Sequence, residues 1–205
     1  MTEEIIFTLK LIQIDFFTAF GLYSFLYFLL SIFIKNPLLK KVDKKANAFI
    51  SFVGIAYLVL WVVGIVIEVN SLNPEDKTQL LNRMFGKYWL GFWVQPLLWV
   101  LLTQLLRFQI FQKNIFIRLL VSIFLILSIE RMVIIITIFH RDYLPSSWTM
   151  YSDLDIYPSN YFLALLLKII LFLVFVGLFS FSKNQLKSLK MSGETKSNVK
   201  SKSKL

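Results

Sequence analysis

Five apolar segments, each near the roughly 20 residues needed to cross a bilayer, constrain this chain more than any other feature. They lie at 11–34, 48–67, 88–106, 115–139 and 161–181. The 205 residues are 57% hydrophobic with 21 phenylalanines, more apolar than a soluble domain of this size would be. The expected fold class is therefore all-α, an integral membrane bundle of five transmembrane helices. Residues 1–182 form that domain, and residues 183–205 a basic, serine-rich tail expected to be disordered. The first segment follows Glu3 and Glu4 without a basic leader, so it reads as a retained span.

The charges between the spans alternate. Segments 35–45 and 107–118 and the tail carry +4, +3 and +6, against −2, 0 and −2 for residues 1–15, 68–87 and 140–160. Basic loops stay in the cytoplasm, which puts the amino terminus outside and the tail inside. The net charge of +10 is thus explained by topology, and nucleic acid is not an expected partner. Membrane lipid is. The cysteine count of zero removes disulfides, iron–sulfur ligation and covalent haem, and the single histidine cannot build a bis-histidine haem. No metal or cofactor of the chain's own is expected.

Charged side chains inside a span cost about 2.5–3.5 kcal/mol each on insertion scales, so Glu130 and Arg131 within 115–139 stand out. With the spans oriented, Glu130 falls about 14 Å below the outer surface, Lys168 about 10 Å and Gln95 with Pro96 about 10–12 Å. Asp15 enters the first span about 6 Å from its start. These residues describe a polar layer in the outer half of the bundle. Lys168 is the natural partner of Glu130, because consecutive spans pack side by side. Pro96 frees the carbonyl of Phe92, and a kink there would open a notch beside Gln95; an ordinary buried kink is the plainer alternative.

Two roles stay open for the Glu130–Arg131 pair. One is polar glue between helices or subunits. The other is a proton-handling carboxylate, with His140 and Asp142 as the relay to the outer face. Gln95, Arg131, Lys168, Arg141 and Trp148 would then line a substrate headgroup. The aromatic residues around 143–161 and 88–93 suit an interfacial anchor as well as a flat ring. Gly86 and Gly91 have phosphate-loop spacing, but Phe92-Trp93 follow where lysine and a hydroxyl residue are needed.

Between Tyr88 and Tyr151 the chain resembles membrane subunits of the NrfD/PsrC group, the type represented by ActC of bacterial alternative complex III. The resemblance rests on Tyr88-Trp89, Phe92-Trp93, Gln104-Leu105-Leu106-Arg107-Phe108 and Glu130-Arg131-Met132-Val133-Ile134-Ile135. It continues through His140-Arg141-Asp142-Tyr143-Leu144-Pro145-Ser146-Ser147-Trp148 to Tyr151. Residues 1–70 carry none of it. Such a resemblance implies a haem-free, quinol-oxidising subunit of a bacterial inner membrane, with quinone as substrate and periplasmic iron–sulfur and haem proteins as partners. The alternative is a structural or assembly protein whose intramembrane charges bind a larger membrane complex.

Overall fold

A computed structural model of the chain describes residues 3–34, 36–87, 89–127 and 160–202. The described residues are helical apart from short connections, with no strand among them. Helix α1 (Glu3–Leu11) runs through a wider π-helical stretch, Ile12–Phe17, into α2 (Thr18–Phe33) without a break. The Thr18 hydroxyl donates to the Gln13 carbonyl at 3.1 Å, closing the widened turn. Ile34 is extended and ends the helix. Asn36 then caps α3 (Pro37–Ser71), accepting from the Leu38 amide at 2.9 Å, with Pro37 at the first helical position.

An Asn-Pro pair recurs at Asn73-Pro74, where α4 (Pro74–Phe85) begins, although the Asn73 side chain makes no cap bond there. Glu75 and Asp76 in the first turn of α4 and Arg83 in its last complement the helix dipole. Helix α5 (Trp89–Leu105) continues through a buried Pro96. A short α6 (Gln109–Lys113) leads to α7 (Ile115–Ile126), whose cap, Asn114, accepts from the amides of Phe116 and Ile117. The last helix, α8, spans Tyr161–Lys202.

Among the described residues three helical stretches are long and apolar enough to cross a membrane: Glu4–Phe33, Pro37–Ser71 and Phe162–Lys187. Helices α5 and α7 are apolar but shorter within the described residues. At 1.5 Å per residue, the 35 residues of α3 reach about 52 Å, well beyond a hydrocarbon core of about 30 Å.

Several expectations change here. Residues 37–45, expected as loop, are the first turns of α3, because Asn36-Pro37 is itself a helix-start signal. Segment 68–87 holds α4, and Arg118, counted with the loop charges of 107–118 though it falls inside the span expected over 115–139, belongs to α7. Of the single helix expected over 115–139, α7 covers 115–126 and Leu127 is extended, and residues 128–139 lie outside the described residues. The depth assigned to Glu130 along that helix therefore no longer follows. Helix α8 continues to Lys202, across most of the tail expected to be disordered.

Neighbouring helices run antiparallel. Ser51 meets Thr103, Tyr57 meets Trp99 and Trp61 meets Trp93 along the α3–α5 seam. Gly21 meets Ile126 and Tyr27 meets Arg118 along the α2–α7 seam. The centre is aromatic. Phe17, Tyr57 and Trp99 form a triangle with ring centroids 5.4–5.8 Å apart, and Phe172 is surrounded by Phe20, Tyr23 and Phe49. Offset and edge contacts of this kind add about 0.5–1.5 kcal/mol per pair beyond burial.

Candidate functional site

Asp43, Asn47 and Ser51 are spaced four residues apart on α3 and so share one face. All three are buried. A lone carboxylate there would be untenable, and Arg118 of α7 supplies its counter-charge. Nη1 donates to Asp43 Oδ2 at 2.8 Å and Nη2 donates to Oδ1, a bidentate pair. Asp43 is 7% exposed and Arg118 5%, so water does little to screen them.

The surroundings hold both charges in place. Asn47 Nδ2 donates to Asp43 Oδ2 at 3.2 Å and to the Asp43 carbonyl at 2.9 Å. The Tyr27 ring centroid lies 4.5 Å from the Arg118 guanidinium carbon, a cation–π contact from α2. Ser122 Oγ donates to the Arg118 carbonyl at 2.9 Å. One turn beyond Asn47, Ser51 Oγ donates to the Thr103 carbonyl at 2.9 Å, and Gln104 Nε2 donates to the Ser51 carbonyl at 2.8 Å. A continuous polar seam thus joins α2, α3, α5 and α7.

Chemically this arrangement is a clamp. Both carboxylate oxygens of Asp43 already accept from charged or amide donors, which leaves the carboxylate committed to the helix contact. Breaking such a buried pair by removing one partner typically costs about 3–5 kcal/mol. Among the described residues no group of three His, Asp or Glu side chains is placed to hold a metal ion.

Of the residues singled out from the sequence, Glu130, Arg131, His140, Arg141, Asp142 and Trp148 lie outside the described residues. Lys168 is buried on α8, 6% exposed, and Gln95 is half-buried on α5, one turn before Trp99. Neither is without an interaction partner, and the same holds for Asp15 in the π-helical stretch. Asp43 and Arg118 were missed by reasoning from loop charge. The signals that could have found them are the single acid among the lysines of 35–45 and the Asp43/Asn47/Ser51 spacing. The pair cancels internally, so the net charge of its two segments is unchanged.

No protein-family model, no curated protein and no solved structure matches the chain.

Proposed function

We propose that the chain is a non-catalytic, multi-pass membrane subunit that binds a larger membrane complex. The observation carrying this reading is the bidentate Asp43–Arg118 clamp, which spends a buried ion pair on fixing helices. In this reading the bundle has five spans. α1–α2, α3, α5 and α8 supply four, and the apolar segment that opens with α7 is the fifth. The amino terminus is outside and the lysine-rich segments face the cytoplasm of a bacterial cell, as the alternating loop charges favour. The test is isolation of the tagged chain in mild detergent. Co-migration with a larger assembly is expected, and a chain that always runs as a lone 24.1 kDa protein in its detergent belt would sink the reading.

A second reading, a quinol-handling subunit of a respiratory oxidoreductase, draws support from Lys168 and Gln95. Both are polar side chains on apolar helices, and Lys168 is buried rather than lipid-facing. In that reading Glu130 carries the proton, Arg131 and Lys168 balance its charge, and His140 with Asp142 form the exit. Gln95, Arg141 and Trp148 contact the quinol headgroup. Quinol oxidation by the isolated complex should then fall with Glu130→Gln. Unchanged turnover would remove the catalytic role.

A further inference from the structure

The Asp43–Arg118 pair is surrounded by polar atoms that it does not use. Arg118 commits Nη1 and Nη2 to the carboxylate, which leaves Nε–H on another edge of the planar guanidinium. Asn47 donates through Nδ2, and its Oδ1 accepts from none of the described residues. The Tyr23 hydroxyl lies beside Asp43 without meeting hydrogen-bond geometry. Ser24 Oγ is the fourth such atom. Ser24 stands three residues from both Gly21 and Tyr27, which meet α7 at Ser122 and Arg118, so it faces α7 between them. All four atoms are thus unpaired among the described residues, on side chains more than nine-tenths buried. A buried polar group left unmade costs more than an average hydrogen bond contributes, so four around one ion pair call for a shared ligand.

The chemistry of these atoms selects that ligand. Arg118 Nε–H only donates, Asn47 Oδ1 only accepts, and the two hydroxyls do either. A cation is repelled by the guanidinium. An anion meets the Asp43 carboxylate and the Asn47 carbonyl oxygen. A small neutral molecule that both accepts and donates satisfies them all, and water in such positions typically makes about three hydrogen bonds. Water is also close at hand. Asp43 is about 10 Å along α3 from the exposed Asn36. A groove of about 320 Å³ between α2 and α3, lined by Asn36, Tyr27 and Tyr23 among others, leads from that end to the tyrosine beside Asp43.

We propose that the clamp holds a structural water site between α2, α3 and α7, where water accepts from Arg118 Nε and donates to Asn47 Oδ1, with the Ser24 and Tyr23 hydroxyls completing its shell. The joint between the three helices is then a hydrated polar network rather than a dry ion pair. The site depends on the geometry of the clamp alone and stands whether or not the chain binds a larger complex.

The test is radiolytic labelling of the full chain in lipid nanodiscs and heavy-oxygen water, where radicals formed from a bound water mark the side chains around it. Tyr57 is the internal standard, since it is 1% exposed and its hydroxyl already accepts from Gln13. Tyr23 should take up heavy oxygen several-fold faster than Tyr57. Ser24→Val, whose methyl groups occupy the water's place, should bring Tyr23 down to the Tyr57 rate. Equal labelling of the two tyrosines in wild type, or a Tyr23 rate that Ser24→Val leaves untouched, overturns the site. Thermal unfolding of Ser24→Ala supplies an independent sign. Deleting a buried hydroxyl with no partner stabilises a fold, whereas deleting one that holds a water destabilises it. The variant should therefore unfold about 2–4 °C below wild type. An equal or higher unfolding temperature overturns the site as well.

Discussion

Arg118 grips Asp43 with both terminal nitrogens across 75 residues of sequence, in a setting where both side chains are almost fully removed from solvent. The pair fixes the start of α7 against the early turns of α3, and Tyr27 adds α2 to the same point. Removing one member leaves the other charged and buried. Arg118→Ala and Asp43→Ala should each destabilise the bundle by about 3–5 kcal/mol, read as a lower unfolding temperature in detergent. Replacing both by leucine should recover most of that loss, because an apolar pair of similar volume avoids the desolvation cost. A double variant as unstable as the singles would mean that the clamp contributes more than charge neutralisation.

The α2–α7 seam depends on a missing side chain. A Cβ built at Gly21 would lie 2.5 Å from Ile126 Cγ1 and 2.9 Å from the Ser122 carbonyl oxygen. The isoleucine tip can turn aside but the backbone oxygen cannot, so Gly21→Ala should cost about 1–3 kcal/mol through overpacking. Gly177 on α8 has nothing within 4 Å of the same construction. Gly177→Ala should be neutral or stabilise by up to about 1 kcal/mol, the helix propensity difference. Thermal unfolding of the two variants side by side tests the seam, and equal effects would contradict it.

How far the sequence disclosed this arrangement depends on which signal was local. Hydrophobic runs located the apolar core of α2, α3, α5 and α8, because a stretch of twenty apolar residues has few other fates. Helix limits were legible only where a cap marks them. Asn36-Pro37 and Asn114 announce α3 and α7, whereas the stop at Leu127 has no proline or glycine to signal it. The clamp was illegible for a different reason. Asp43 sits in a lysine-rich segment that reads as solvent-exposed loop, and Arg118 at the basic edge of an expected span; only tertiary packing tells a buried charge from a surface one. Lys168, by contrast, stands alone in an apolar run, and its burial was readable from that isolation.

Along the α3–α5 seam, Ser51 and Gln104 exchange hydrogen bonds with the opposite backbone. Interhelical bonds of this kind are worth on average about 0.6 kcal/mol in membrane bundles. Ser51→Ala and Gln104→Ala should therefore be mild, below about 1 kcal/mol each, and far smaller than Arg118→Ala. Because both bonds involve Ser51, the double variant should cost less than the sum of the singles. A double-mutant cycle on unfolding temperature provides the measurement, and strict additivity would argue that the two bonds act independently.

The chain has no cysteine, so single cysteines can map its topology without removing native thiols. Lys44 near the start of α3 and Glu75 at the start of α4 are both exposed, and the part of α3 between them, residues 45–71, reaches about 40 Å, longer than a bilayer core is thick. In the proposed orientation Lys44 lies on the cytoplasmic side and Glu75 outside. In intact cells a membrane-impermeant maleimide should label Glu75→Cys and leave Lys44→Cys unlabelled until the membrane is opened. The reverse pattern would invert the topology, with the lysine-rich segments outside. Equal labelling of both would mean that α3 does not cross the membrane, and the five-span bundle would have to be abandoned with it.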